Sequence, residues 1–239
     1  MANIVSNGHR LVLFDIDGTL LSAGRVARDA ILRALEAAYG WKYTADHEDR
    51  GKFDFSGKTD PQIVRELVIG EVGSERFESD LPRALDLYLE ELERQLTPGT
   101  VVPKPGIPEL LARLAAEPGV TLGLLTGNLE RGARLKLAPP GFNGYFPFGA
   151  FGSDSADRYE LPPVAVARAL AHTGRRFEGK SIVIVGDSVH DVACGRSLGV
   201  RAVAVATGPT RPEKLAAQAP DALLEDFADT ACALSAILG

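Results

Sequence analysis

The chain has 239 residues, 45% hydrophobic and 24% charged, with a formal net charge of −6. That length can bury a sizeable core without disulfide staples, and it suits one domain carrying an insertion better than two full domains. The acidic balance argues against a nucleic-acid partner or an anionic membrane surface. It leaves room for a small anionic substrate whose charge a bound metal would offset. Cys194 and Cys232 lack metal-ligand spacing and read as two buried thiols in a reducing compartment. Met1 to Arg10 shows no signal-peptide pattern and no apolar run reaches ~18 residues, so a soluble cytoplasmic protein is expected.

In chain order, the apolar run Leu11 to Phe14 predicts a strand buried on both faces, ended by Asp15, Asp17 and the turn signal Gly18-Thr19. Helical periodicity follows over Arg25–Tyr39, with Gly40 as its stop. Trp41 to Gly57 has no period and reads as a loop. Thr59-Asp60-Pro61 marks a helix start, and Ser74–Leu96 predicts one long helix or a pair broken at Pro82. Residues 22–99 contain no convincing strand and are expected to form an inserted helical cap. The remainder, residues 1–21 and 100–239, is expected to form the core. From Val101 onward strands and helices alternate. Strands are predicted at Val120–Leu125, Phe148–Phe151, Ser181–Val185, Val200–Val205 and Ala222–Leu224. Helices are predicted at Ile107–Ala116, Leu129–Leu137, Leu161–His172, Val189–Leu198, near Glu213 and from Phe227. Alternation of this kind implies an α/β fold with a parallel sheet and right-handed crossovers.

Three polar clusters follow three buried strands: Asp15 with Asp17, Thr126-Gly127-Asn128, and Asp187 with Asp191. Parallel strands point the same way, so the three clusters converge on one sheet edge, where open α/β sheets bind ligands. Close carboxylates need a cation, and hard oxygen donors suit Mg2+. Thr126, with the backbone N–H groups of Gly127 and Asn128 at a helix start, suits a phosphate. Asp187 is a candidate metal ligand with Asp15, or else the N-cap of the helix that follows. Asp191, four residues later on the following helix, lies on the same face as Asp187 and is a candidate to act through a bound water. If the ligand is a phosphoester, Asp15 is a candidate nucleophile and Asp17 a candidate acid and base. Lys58, in the cap segment Gly57-Lys58-Thr59-Asp60, is a candidate wall of the substrate pocket. His190 reads as an exposed helix residue.

The segments Phe14-Asp-Ile-Asp-Gly-Thr-Leu20, Leu124-Leu-Thr-Gly-Asn128 and Val185-Gly-Asp-Ser-Val-His-Asp191 resemble three motifs of the haloacid dehalogenase-like hydrolases. The resemblance implies a three-layer Rossmann-like core with a mobile cap, Mg2+ as cofactor, and an aspartyl-phosphate intermediate. Carried onto this chain, it makes Asp15 nucleophile and metal ligand. Asp17 becomes acid/base, with its carbonyl on the metal beside Asp187 and Asp191. The family's third motif normally supplies a lysine before a helix. Here Gly152 to Pro163 contains none, and Arg158 is the positional match. Lys136 and Lys180 are fallback candidates that read as helix-end or loop cations facing solvent. The expected activity is hydrolysis of a small phosphorylated metabolite, because the second aspartate serves a poor alkoxide leaving group. A phosphoglucomutase-like mutase and a non-catalytic metal- and phosphate-binding protein are the alternatives.

Overall fold

The computed structural model describes residues 8–44, 53–97 and 99–239, with the backbone alone of Ser197. The first strand, β1 (Arg10–Phe14), runs where the apolar pattern places it, and the chain then turns into the two-residue β2 (Leu21–Ser22). Three helices follow: α1 (Val26–Tyr39), α2 (Asp60–Val72) and α3 (Ser74–Gln95). The chain returns through β3 (Val102–Pro103) and then alternates. The order is α4 (Ile107–Ala116), β4 (Val120–Leu125), α5 (Glu130–Leu137), β5 (Gly149–Ala150) and α6 (Leu161–Thr173). It continues with β6 (Ile182–Gly186), α7 (Val189–Ser197), β7 (Arg201–Val205), α8 (Pro212–Ala216), β8 (Ala222–Leu224) and α9 (Thr230–Leu238).

Six strands form one sheet in the order β5-β4-β1-β6-β7-β8, and every neighbouring pair is parallel. The two-residue alternation of a strand explains the layers. Val12 and Phe14 bury one way against Ile107, Leu110 and Leu114 of α4 and Ile237 of α9. Leu11 and Leu13 bury the other way against Leu161, Ala165 and Ala169 of α6. Both faces of β1 are therefore covered, which is why it reads as an unbroken apolar run. The chain builds β4 and β5 on one side of β1, then β6 to β8 on the other. The site opens at the carboxyl end of this reversal, where α/β sheets leave a crevice.

Helices α1, α2 and α3 carry a separate apolar cluster, including Ile31, Leu35, Val64, Phe77, Tyr88 and Leu92, and Leu129 of the sheet unit packs into it. The helix start at Thr59 is as expected: its side chain accepts a hydrogen bond from the Gln62 N–H, with Pro61 in the first turn.

The structure departs from expectation in several places. The helix α3 is unbroken, because Pro82 is on its exposed side, where water can satisfy the carbonyl that proline leaves unpaired. The strands β2 and β3 form an antiparallel ribbon, Leu21 opposite Pro103 and Ser22 opposite Val102, where the helical segment leaves and rejoins the sheet unit. The strand expected at Phe148–Phe151 is only two residues long. The last helix begins at Thr230 rather than Phe227, because the Asp229 side chain caps it by accepting from the Cys232 N–H. Cys194 is buried as expected, but Cys232 is exposed. Of the loop expected over Trp41–Gly57, residues 45–52 lie outside the described residues, as does Pro98.

Candidate active site

Asp15 follows β1 directly and stays tied to the sheet, its N–H donating to the Val185 carbonyl at 3.0 Å. Gly18, two residues beyond the second aspartate Asp17's predecessor Ile16, takes φ +89°. A Cβ there would lie 2.5 Å from Asp187 Oδ2, so only glycine lets the β1 turn approach the β6 turn. This approach brings Asp15, Asp187 and Asp191 together, with one ligand atom of each within 4.8 Å of the others and all three buried. Thr19 donates to Asp187 Oδ1 at 2.9 Å and fixes that carboxylate's rotation. The N-cap of α7 is Ser188, not Asp187, so the Asp187 carboxylate is free of capping duty. Asp191 does carry a local duty: it accepts from the Ser188 N–H and hydroxyl in a capping box.

The cation expected from the third-motif region is in place. Arg158 is 3% exposed; its Nη2 donates to Asp15 Oδ1 at 3.0 Å and to Asp191 Oδ1. Its buried Nε makes no hydrogen bond. Burial works against the guanidinium's charge, but Asp191 and Asp15 outweigh it and raise its pKa. The carboxyls are shifted the opposite way from ordinary salt-bridged acids. Burial raises Asp15, against the pull of Arg158, with Asp191 and Asp17 raising it further. Burial, then Asp15 and Asp191, raise Asp187 well above the usual carboxylate range. Three buried carboxyl groups crowd around one guanidinium, and the shortage of positive charge there is what burial and mutual repulsion register in Asp15 and Asp187. That donor set is what a divalent ion with oxygen preference fits.

A second cation holds the other aspartate. Lys136 was expected to face solvent, but it is 2% exposed and points into the site. Its Nζ donates to Asp17 Oδ2 and to Asn128 Oδ1, each at 2.6 Å. Asn128 Nδ2 in turn donates to the same Asp17 Oδ2 and to Thr126 Oγ1, each at 2.8 Å. The expected phosphate loop is thus modified: Asn128 contributes its side chain to Asp17, and its N–H points to Thr126 Oγ1 at 3.3 Å. A signal for Lys136 was present in the sequence. It lies three residues after Ala133 and four after Gly132, on the buried face of α5. Lys180, the other fallback, is exposed and pairs with Asp221.

The helical unit closes the site from above. The Asp60 N–H donates to the Gly127 carbonyl and the Asp60 carboxylate accepts from the Leu129 N–H, both at 2.8 Å. A Cβ on Gly127 would lie 2.0 Å from the Lys58 carbonyl, so this docking needs glycine for its close approach. Burial pushes the Asp60 carboxyl up to about 6, against the pull of Lys136. Lys58, just before α2, lines the cleft, but its ammonium pairs with Glu66 of α2. His190 is half-buried rather than exposed, with Tyr159 Oη 3.0 Å from its Nδ1. The cleft has a volume of about 360 Å3 and is lined on the sheet side by Asp15, Asp17, Thr126 and Asp187, and on the helical side by Ile31 and Ile63.

The family model for haloacid dehalogenase-like hydrolases matches residues 9–199. The chain belongs to this hydrolase family. The match to the haloacid dehalogenase-like hydrolases takes in all three polar clusters, the helical insertion and the arginine at residue 158. Relatives within it include a phosphoglycolate phosphatase of Synechococcus elongatus, 27% identical over 95% of this chain and 98% of the relative. Another is the pyrophosphatase PpaX of Anoxybacillus flavithermus, 26% identical over 95% of this chain and 96% of the relative. The solved structure of CbbY from Rhodobacter sphaeroides in complex with phosphate has the same fold, with TM-score 0.69 and 18% identity over 92% of this chain and 96% of that one. Among the described residues no helix is long and apolar enough to cross a membrane.

Proposed function

We propose that this protein is a Mg2+-dependent phosphatase that hydrolyses a small phosphomonoester through an aspartyl-phosphate on Asp15. The observation that carries this reading is the division of labour between two aspartates on one cleft. Asp15 is buried and gripped by Arg158. Asp17 has a side chain 42% exposed to the cleft and is held by Lys136 and Asn128. A nucleophile needs its carboxylate held in one orientation; an acid/base needs access to the leaving oxygen and to water.

In this mechanism an Asp15 oxygen attacks phosphorus while the Asp17 carboxyl gives its proton to the leaving oxygen. A water then attacks the aspartyl-phosphate, its proton passes to Asp17, and the Asp15 carboxylate is restored. Thr126 and Arg158 both line the cleft; Thr126 would donate its hydroxyl to a phosphoryl oxygen, and Arg158, whose Nε has no partner, would stabilise the charge that develops there. The residues that would hold Mg2+ are Asp15, Asp187 and Asp191, with the Asp17 carbonyl. When bound, the ion would neutralise phosphoryl charge as a Lewis acid. The segment 22–99 would act as the cap that excludes water and selects substrate, with Lys58 on its wall. The relatives' named substrates, phosphoglycolate and pyrophosphate, agree with a small phosphorylated partner but differ from one another.

A screen of phosphorylated metabolites, run with and without Mg2+, tests the proposal. Magnesium-dependent phosphate release from at least one phosphomonoester is expected. Intact metal binding with no turnover of any substrate would favour a non-catalytic binding protein instead.

A further inference from the structure

We propose that Lys136 is the positioning residue for Asp17: it anchors one carboxylate oxygen so that the other faces the leaving group. This inference rests on the phosphatase reading and adds a residue that the three motifs do not contain.

The argument begins from hydrogen-bonding capacity. A lysine ammonium only donates, so the Asn128 atom that meets Lys136 at 2.6 Å must be the amide oxygen. That choice fixes the amide's orientation and aims the Asn128 NH2 group at Asp17 Oδ2 and Thr126 Oγ1. Asp17 Oδ2 therefore receives two donors, Lys136 directly and Asn128 through an orientation that Lys136 enforces. Among the described residues Asp17 Oδ1 has no hydrogen bond, and Asp17 lines the cleft. With Oδ2 occupied by donors, a proton on Asp17 resides on Oδ1. As the phosphorus–oxygen bond breaks, that proton passes to the leaving oxygen, and the ammonium stabilises the carboxylate left behind. When water later attacks the aspartyl-phosphate, its proton returns to Oδ1 and the Asp15 carboxylate departs. Arg158 attends the nucleophile and Lys136 attends the acid, so each of the two buried cations serves one of the two aspartates.

The test uses two substrates of similar shape whose leaving groups differ in basicity, phenyl phosphate and p-nitrophenyl phosphate. Loss of proton donation harms the more basic phenolate far more. For Lys136→Met, kcat/KM should fall about a hundredfold on phenyl phosphate and less than about fivefold on p-nitrophenyl phosphate, within the range that general acid catalysis supplies. Asp17→Asn should reproduce this leaning toward the poor leaving group. Equal losses on both substrates, or no loss on either, would overturn the proposal, since a packing role does not discriminate between leaving groups. A crystal structure of Lys136→Met supplies a readout independent of turnover. Rotation of Asp17 away from Asn128 is expected, and an unmoved Asp17 would refute the anchoring role. Should the wild-type protein release phosphate from neither of these nor from any phosphomonoester of the metabolite screen, the phosphatase reading fails, and the anchoring claim is still decided by that structure.

Discussion

Arg158 Nη2 donates to Asp15 Oδ1 at 3.0 Å and, from the same atom, to Asp191 Oδ1, so one nitrogen bridges two buried carboxylates across the β1–β6 boundary. Arginine here does more than fill a lysine's place, because its Nε remains without a partner while Nη2 is engaged. Arg158→Ala would strand both carboxylates and should cost about 3–5 kcal/mol, read as a lowered melting temperature. Activity should fall at least about a hundredfold, as for loss of a donor aimed at developing charge. Near-full activity in Arg158→Ala would assign the work to another cation.

Much of this site could be read from sequence because buried parallel strands leave continuous apolar runs, and each run ended in its polar cluster. Asp15, Thr126 and Asp187 were located that way. Lys136 was misread because a charged residue near a helix end ordinarily faces water, and its partner Asp17 lies 119 positions away. Asp60 reads from sequence as part of a helix start or of a pocket-lining segment; its docking role does not show there, since its partner, the Leu129 N–H, belongs to another element. The β2–β3 ribbon is too short to show a two-residue period, and its strands pair across the whole helical insertion.

Magnesium should stabilise the fold by relieving the crowded carboxylates Asp15, Asp187 and Asp191. At a hundred times its dissociation constant a ligand that binds only the native state contributes about 2.7 kcal/mol. Melting curves across a Mg2+ titration should therefore shift upward. Asp187→Asn should remove most of the shift while raising the stability of the metal-free protein, since burial and its acidic neighbours hold that carboxyl well above its usual range. An unchanged Mg2+ response in Asp187→Asn would remove it from the ligand set.

Asp60 gives a pH dependence of defined sign. Its carboxyl is pushed up on folding from the ordinary 3.8 to about 6, chiefly through burial. The folded state then holds this proton more tightly than the unfolded state. Stability from this group is highest below about pH 4 and declines as pH rises through about 6. Above that the charged form costs on the order of 3 kcal/mol. Asp60→Asn keeps an acceptor for the Leu129 N–H without the charge. Its stability relative to wild type should rise between pH 5 and 7.5 by roughly 1–2 kcal/mol in denaturant melts. A difference that is flat with pH would mean that Asp60 does not titrate in this range.

Gly127→Ala separates docking of the helical unit from folding of the sheet unit. The new Cβ would lie 2.0 Å from the Lys58 carbonyl, and backbone yields less readily than a side-chain tip. The α1–α3 cluster and the sheet core have separate apolar interiors, so both should persist by circular dichroism. Phosphatase activity should drop at least about tenfold as the closed geometry is lost. Retained activity would show that the Asp60–Gly127 contact is dispensable.

The central claim is that Asp15 is the nucleophile. The most direct measurement is magnesium-dependent phosphate release from p-nitrophenyl phosphate by Asp15→Asn, with folding checked by thermal melting. Complete loss of release in a folded variant is the expected result; release at the wild-type rate would contradict the assignment.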